Sequence, residues 1–504
     1  MTSLSLGHPW PTNIDLLSLV AERYLLASGQ WLHDNERWAL VYDLINERTI
    51  FFNGHLPNGT ITSSIAITSD VKVFIATGRN GQMNFWRMAT GEHILSGAYI
   101  DDELVVYDAD GYFVATYEGS QFVFLKFPSL PGYVPFKQFA KTLQRPDVIR
   151  AAFEGAPAPV PPSLTPPPRL RLAATPVVGS PGSVRVAISA SATRPLDKLR
   201  LFIDGQLWRE WAIKDRQIDL SKTVEVPAQS RWLTAVVIDA SGSESVPVAE
   251  ALPRDDRLSQ RNLYAVAVGT DIYRLMPADL QLRYAVSDAR NFLSAVKRQN
   301  SGYYAAVKTT ELFDSIGLQT ELPARLRALA KAATADDTIM LFASGHGYRA
   351  PDGKLYLLVA ESDQTRLEET SLSWDELAQA FGETRARIIV FIDACHSGAV
   401  PNGGSNDEIA DALNARQVRF TVVAAAKGRQ ESFERADLGG GVFTSAIVKA
   451  ITDGNRSGID TNHNGVIELT ELYSQIKPAV LTQMGGQQTP WLARADMVGE
   501  IPLF

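Results

Sequence analysis

The chain contains one cysteine, Cys395, within the segment Ile388-Ile-Val-Phe-Ile-Asp-Ala-Cys-His-Ser-Gly398. His346 lies 49 residues earlier, between the two glycines of Ile339-Met-Leu-Phe-Ala-Ser-Gly-His-Gly347. A free thiol is only a few per cent thiolate at neutral pH, so a nearby imidazole is the usual means of activating it as a nucleophile. Glycines beside these residues let a substrate backbone approach and leave N–H groups for an oxyanion. The two segments therefore predict nucleophilic cysteine chemistry.

Both segments follow apolar runs in a sequence whose pattern alternates between strands and helices. The predicted strands are 263–268, 307–313, 338–343, 387–392 and 420–424, and the predicted helices between them include 285–297 and 323–333. Such alternation implies a mainly parallel sheet covered on both faces, with reactive groups beyond the carboxyl ends of its strands. We therefore expect Cys395 and His346 just past the ends of two strands, which brings them together if those strands are neighbours.

These motifs resemble the caspase and metacaspase superfamily of cysteine peptidases, and they are nearer to the metacaspases. The resemblance rests on Ser344-Gly-His-Gly347 and Asp393-Ala-Cys-His-Ser-Gly398, whose spacing fits the roughly 50 residues known for caspases. It extends over 258–504, and the β-rich sequence before it is similar to bacterial caspase-like proteins with WD-type leaders. Further segments that agree are Leu282–Ala289, Tyr356–Val359, Gly441–Thr444 and Gln488–Pro490.

The resemblance implies a catalytic dyad. Cys395 would attack the scissile carbonyl, and His346 would accept the thiol proton and then protonate the leaving amine. Backbone N–H groups of Gly347 and Cys395 would form the oxyanion hole, and no cofactor would be required for the chemistry. His396 is expected to be structural. The alternative is a catalytically inactive caspase-like scaffold that presents the β-rich modules, and a thiol transferase has no supporting motif.

The resemblance also implies a specificity pocket lined by Asp393, Asp288 and Ser344. A buried carboxylate is costly unless it is paired, so this pocket is expected to accept Lys or Arg before the cleaved bond. The alternative is that Asp393 or Asp288 caps a helix or pairs inside the protein.

Related enzymes often cut themselves in the stretch that follows the nucleophile, which is 398–419 in this sequence. Arg416 and Arg419 are the predicted cleavage sites if the Arg/Lys preference holds. Exposed arginines are also ordinary surface residues. The family context allows a role in bacterial stress or antiviral defence, which no residue demonstrates.

A second motif, Asp460-Thr-Asn-His-Asn-Gly-Val-Ile-Glu-Leu-Thr-Glu471, has the pattern of an EF-hand calcium loop. The two asparagines lower the ligand charge, so weak binding is expected if calcium binds, and the paired-helix geometry is doubtful. The alternative is a metal-free turn held by Asn and Asp side chains. The predicted ligands are Asp460, Asn462, Asn464, Val466, Glu468 and Glu471.

The first half of the chain has the pattern of short β-strands. Trp86 lies 44 residues after Tyr42 in a similar stretch, which is the period of WD repeats, but these units are too few to close a propeller. The fold class is therefore multidomain, all-β first and α/β afterwards. The predicted domains are 1–130, WD-repeat-like; 131–168, a helix and proline-rich linker; 169–253, an Ig-like β-sandwich; and 258–504, the caspase-like α/β domain.

The composition limits the classes of partner. The chain has 504 residues, 45% hydrophobic and 21% charged, as in a globular protein, and its net charge of −8 argues against nucleic acid. No apolar run is long enough to span a membrane, and no secretory signal is recognised. With one cysteine and no intrachain disulfide, a cytoplasmic location is expected. Protein substrates are the expected partners, with an activating partner or small-molecule signal at the β-rich half.

Overall fold

The structure is a computed structural model of the chain. It describes residues 13–30, 37–53, 62–78, 81–100, 103–115, 119–128, 133–156, 159–160, 164–253, 258–299, 303–352, 354–382, 384–395, 420–426, 432–452, 456–494 and 498–504. Within these ranges, no helix has the length and apolar character needed to cross a membrane. The chain divides into two compact units, of which one contains 1–168 with 192–194 and 238–245, and the other contains the remainder.

The first unit consists mainly of antiparallel sheets in which neighbouring strands follow one another in sequence. The first sheet contains β1 Asn13–Val20, β2 Tyr24–Gln30, β3 Arg37–Asp43 and β4 Arg48–Asn53. The second contains β5 Thr62–Ile67, β6 Val73–Gly78, β7 Gln82–Arg87, β8 His93–Ile100, β9 Glu103–Tyr107 and β10 Phe113–Ala115. A hairpin of β11 Phe124–Lys126 and β12 Tyr133–Pro135 precedes helices α1 Ala140–Leu143 and α2 Pro146–Glu154.

The predicted repeat falls on equivalent strands of the two sheets. Tyr42 lies in β3, the third strand of the first sheet, and Trp86 lies in β7, the third strand of the second. Phe74 and Trp86 stack with ring centroids 5.1 Å apart in the core of this unit. The β-rich character is confirmed, and the assignment to WD repeats stays a prediction.

The second unit begins with two antiparallel sheets. One has the strand order β13-β14-β17 and the other β16-β15-β18-β19. Alternate residues of β14 are buried, so one face of its sheet packs inward and the other faces water. The strands are β13 Arg169–Pro176, β14 Ser183–Ser191, β15 Leu196–Ile203, β16 Gln206–Ala212, β17 Gln217–Glu225, β18 Trp232–Asp239 and β19 Val248–Ala251.

The α/β region is built on a central sheet of order β21-β20-β22-β25-β26-β29, parallel except for β29. Its strands are β20 Asn262–Gly269, β21 Ala306–Phe313, β22 Thr338–Arg349, β25 Arg387–Cys395, β26 Phe420–Ala424 and β29 Trp491–Arg494. Short strands extend this sheet from β22, namely β23 Leu355–Leu357 and β24 Leu372–Ser373. A separate hairpin contains β27 Glu434–Arg435 and β28 Gly440–Gly441. A mainly parallel α/β sheet is confirmed.

Helices cover both faces of this sheet. One face packs Phe342 and Phe391 against Phe292 and Phe443 of two helices. On the other face Phe381 contacts Phe420, with ring centroids 5.3 Å apart. The helices are α3 Ala285–Lys297, α4 Leu318–Ala332, α5 Leu367–Thr370, α6 Trp374–Phe381, α7 Val442–Thr452, α8 Arg456–Ile459 and α9 Leu469–Met484.

Residues from both antiparallel sheets of the second unit line one cavity, so these sheets face each other and are called the β-sandwich below, while the Ig-like assignment stays a prediction. A buried polar network joins this β-sandwich to the α/β region. The carboxylate of Asp204 accepts from Arg261 at 3.1 Å and from the Tyr303 hydroxyl at 3.0 Å. Arg387, the first residue of β25, donates to the same Tyr303 hydroxyl at 3.0 Å. None of these four side chains reaches the surface appreciably. Because buried charges need partners, this network ties the sandwich to the base of the central sheet.

The structure corrects the position of the candidate dyad on its strands. The sequence predicted that His346 and Cys395 lie just past strand ends, but β22 continues to Arg349 and β25 continues to Cys395. The extension of β22 arises because Gly347 to Arg349 pair with β23, which supplies the backbone partners that continue the strand.

Candidate active site

β22 and β25 place His346 directly beside Cys395. These strands are parallel neighbours, and His346 and Cys395 are partners in their register. Paired residues on neighbouring strands have backbones about 4.8 Å apart. The backbones of the two residues are therefore adjacent, as the sequence predicted for neighbouring strands.

The His346 ring is buried and held in one orientation. Its Nε2 lies 2.9 Å from the carbonyl oxygen of Leu280, and the residue is 1% exposed. A carbonyl oxygen only accepts hydrogen bonds, so Nε2 carries the proton in this contact. The neutral imidazole then has its lone pair on Nδ1, which makes Nδ1 the basic nitrogen.

Tyr273 positions His346 from a second side. The two rings stack with centroids 5.0 Å apart, and the His346 backbone N–H donates to the Tyr273 hydroxyl at 2.9 Å. A Cβ at position 345 would lie 3.0 Å from that hydroxyl, so Gly345 allows this close approach. Sequence reasoning missed both Tyr273 and the Leu280 carbonyl, because neither belongs to a motif and both lie between β20 and α3.

The predicted pocket residues Asp288 and Asp393 are brought together. Their exposed fractions are 2% and 3%. Asp288 lies in the first turn of α3 and accepts from the Gly441 N–H at 2.9 Å. Asp393 accepts from the Ser432 hydroxyl at 2.6 Å and from the Thr444 hydroxyl at 2.5 Å. Both carboxylates thus have donors inside the protein, as expected if they pair internally. These donors are neutral N–H and O–H groups, so they supply no positive charge to balance an ionised Asp288 or Asp393.

The electrostatics of this cluster disfavour the charged carboxylates. Burial, and then the Asp393 charge, raise the pKa of Asp288 to about 8. Burial also raises the pKa of Asp393. Glu434 and Asp271, which sequence reasoning missed, have pKa values raised chiefly by burial. Within the described ranges, no Lys or Arg side chain forms an ion pair with Asp288 or Asp393. A cation would supply the missing charge.

Ser344 and Gly347 lie on the same strand as His346. Ser344 is the register partner of Asp393 and is buried, so it adjoins the carboxylate pair. Gly347 pairs with Leu357 of β23, next to His346. The structure therefore brings Ser344 together with the aspartates, while the role of Gly347 in an oxyanion hole stays a prediction.

The EF-hand-like loop is closed by its own hydrogen bonds. Glu471 accepts from the Thr461 N–H at 2.7 Å, and Asp460 accepts from the Gly465 N–H at 2.9 Å. Glu468 accepts from Asn462 at 3.2 Å and from Trp232 of the sandwich at 3.1 Å. In the part of the chain that the structure describes, no three acidic, His or Cys side chains converge as metal ligands. In this conformation the loop's own N–H groups bond to these carboxylates, so a calcium ion would have to replace those bonds, and no chemical step is assigned to one.

Several predicted residues fall outside the described ranges. These are His396 and the whole stretch 398–419, which includes the predicted self-cleavage sites Arg416 and Arg419.

Comparison with known proteins identifies the α/β region. Residues 263–501 match the family model of the caspase domain. No curated protein matches the sequence. Among solved structures, protein GSU0716 from Geobacter sulfurreducens is 18% identical over 47% of this chain and 93% of its own, with a TM-score of 0.34. Protein YXIM from Bacillus subtilis is 11% identical over 49% of this chain and 72% of its own, with a TM-score of 0.17. TM-scores this low do not establish a shared fold.

Proposed function

We propose that this protein, whose residues 263–501 form a caspase domain, is a cysteine endopeptidase that cleaves polypeptides after Arg or Lys. The observation that carries the proposal is the pairing of His346 with Cys395 across β22 and β25, with the imidazole held by the Leu280 carbonyl. A nucleophile beside an oriented base is the arrangement that thiol catalysis requires.

The proposed reaction begins with transfer of the Cys395 thiol proton to Nδ1 of His346. The thiolate attacks the scissile carbonyl carbon, and N–H groups of Gly347 and Cys395 stabilise the oxyanion. The C–N bond breaks as His346 returns its proton to the leaving amine. Water, deprotonated by His346, then hydrolyses the thioester and regenerates the thiol.

The proposed specificity follows from the carboxylate cluster. Asp288 and Asp393 are buried beside each other, with Ser344 adjacent and Glu434 and Asp271 nearby. An Arg or Lys side chain entering this region would relieve the repulsion and favour the ionised carboxylates. An acidic residue at the same position would add a further negative charge. The pocket is therefore proposed to select cations.

Fluorogenic peptides that end in Arg, Lys or Asp test both parts of the proposal. We expect cleavage of the Arg and Lys peptides by the full chain and loss of cleavage in Cys395→Ala and His346→Asn. Because Cys395 is the only thiol, iodoacetamide labelling of intact protein reports its reactivity directly. A folded protein with neither selective alkylation nor cleavage is a scaffold instead. Preference for Asp would retain the peptidase and refute the cation pocket.

The N-terminal β-rich half is proposed to bind an activating partner or a small-molecule signal. Its surface includes exposed Tyr99, Phe124 and Tyr133, and solvent-exposed aromatic side chains are common at contact surfaces. Comparison of peptidase activity in the full chain with and without cell extract tests for such activation.

A further inference from the structure

The β-sandwich contains an apolar cavity of about 280 Å³ between its two sheets. Apolar residues from both sheets line it, with Trp211 at one side and Ile188 and Leu220 at the other. The sandwich is closed where β13 contacts β19. On the opposite side, β16 and β17 are the free edges of their sheets. There the Trp208 indole donates to the Glu225 carbonyl at 3.1 Å, and residues 213–215, which follow β16, line the cavity.

One lysine interrupts the inward-facing row of β17. Ile218, Leu220 and Val224 of this strand face the cavity, and Lys222 occupies the position between the last two. Its register partner on β14 is Val186, which is 1% exposed. Directly paired residues share a face of the sheet, so Lys222 is on the inner side and lines the cavity mouth.

The mouth has an excess of positive charge. Lys214 and Asp215, on the loop that joins β16 to β17, lie there together with Lys222. Over the described part of the chain, neither lysine has a carboxylate within ion-pairing distance. An apolar interior with an unneutralised lysine at its mouth complements a molecule that has an apolar chain and one anionic head group.

We infer that this cavity binds a medium-chain fatty acid, with its alkyl chain between the sheets and its carboxylate at Lys222. A cavity of this size is at the lower limit of ligand pockets, which restricts the occupant to a short or medium chain. The competing explanation is that Lys222 only protects an edge strand, because inward-pointing charges prevent edge-to-edge pairing.

Isothermal titration of the full chain with decanoate, below its micellar concentration, tests this inference. We expect saturable binding of one decanoate per chain, and binding at least about tenfold weaker for decan-1-ol, which lacks the charge. Lys222→Met is expected to lose a similar factor, and Leu220→Trp, which fills the cavity, is expected to remove binding. Lys198→Met is the matched control, because Lys198 pairs with Glu210 outside the cavity.

Circular dichroism verifies that each variant folds, and Lys222→Gln serves if Lys222→Met does not. Absence of saturable decanoate binding to the wild-type protein would overturn the inference, as would equal affinity in a folded Lys222 variant. Self-association of Lys222→Met, with no decanoate binding by the wild type, would assign the lysine to edge protection. Calorimetry does not depend on proteolysis, so failure here leaves the proposed peptidase untouched.

Discussion

Asp288 and Asp393 meet at a single backbone position, Gly441. The Gly441 N–H donates to Asp288, and a Cβ at this position would lie 2.9 Å from Asp288 Oδ2 and 2.8 Å from Asp393 Oδ2. One carboxylate comes from α3 and the other from β25, so helix and strand deliver like charges to the same point. The repulsion between them favours protonation of the pair.

This relationship predicts a pH dependence for cleavage of Arg peptides. Asp288, with its pKa raised to about 8, is largely protonated at neutral pH and gains its charge as the pH rises. We expect KM for Arg peptides to fall as pH rises toward 8, since the ionised pocket binds the cation more tightly. Measurement of kcat and KM from pH 6 to 9 tests this expectation. In Asp288→Asn the fall in KM should shrink, and an unchanged profile would contradict the assignment.

The same shift predicts how folding stability changes with pH. A carboxyl group whose pKa is raised by folding binds its proton more tightly in the folded state, so stability falls between its ordinary value of 3.8 and about 8. Asn cannot lose a proton. Urea unfolding should therefore show that the stability of Asp288→Asn increases relative to wild type as the pH rises from 3.8 to about 8. A relative decrease would contradict the raised pKa of Asp288.

Substitution of Gly441 by Ala is expected to damage the pocket. The added methyl group would be closer than van der Waals contact to both carboxylates, so the hairpin of β27 and β28 must move. We expect a loss of about 1–3 kcal/mol in the free energy of unfolding and a higher KM for Arg peptides. Gly439→Ala is the control for KM, because its Cβ would meet no atom within 4 Å. Its positive φ of 64° adds strain of about 1–2 kcal/mol, so the stability of this variant also falls. An equal rise in KM in the two variants would exclude the steric explanation.

Removal of the Tyr273 hydroxyl is expected to disturb His346. Tyr273→Phe removes the hydroxyl that accepts from the buried His346 N–H, and loss of such a hydrogen bond costs about 0.5–1.5 kcal/mol in stability. If this contact orients the base, kcat for peptide cleavage falls while KM changes little. Tyr264→Phe is the matched control, since its hydroxyl accepts from Lys308 at the surface. A Tyr273→Phe protein with full kcat would show that the stacked ring alone is sufficient.

The buried network predicts a stability loss in Asp204→Asn. Asn keeps the shape of Asp204 but leaves Arg261 buried without a counter-charge, which costs about 3–5 kcal/mol. The free energy of unfolding in urea measures this loss. Glu321→Gln removes an exposed partner of Arg325 and is expected to cost no more than about 1 kcal/mol. A loss no larger than this control would mean that the network does not hold the sandwich.

Calcium binding at the 460–471 loop remains a prediction with a direct test. The loop already satisfies Glu471 and Asp460 with its own N–H groups, so an ion must replace these bonds. We expect weak binding, with a Kd of about 10⁻⁴–10⁻³ M, that Glu471→Gln removes. Calorimetric titration with calcium measures it, with Glu369→Gln as a control on an exposed carboxylate. Identical heats of titration for wild type and Glu471→Gln would support the alternative, that the loop is a turn that binds no metal.

The sequence was sufficient to predict the parts of the site that depend on local pattern. Buried parallel strands appear in sequence as continuous apolar runs, so β22 and β25 could be predicted from such runs. The motifs at the ends of these runs then indicated His346 and Cys395. Asp271 and Glu434 lie in segments with no periodicity of their own. Their placement depends on how loops fold over the sheet, which residue types do not specify. The same reason explains why the β23 pairing, and hence the true end of β22, could not be predicted.

The start of strand β25 also limits which β-sandwich could stand next to this α/β region in a related protein. The strand begins at Arg387, within the network that Asp204 of the sandwich organises, and ends at Cys395. If the α/β region were joined to a foreign sandwich, Arg261 would be buried without its carboxylate partner, and the Tyr303 hydroxyl that Arg387 contacts would lose its acceptor. The α/β region is therefore expected to fold stably only with a sandwich that supplies a carboxylate at the position of Asp204.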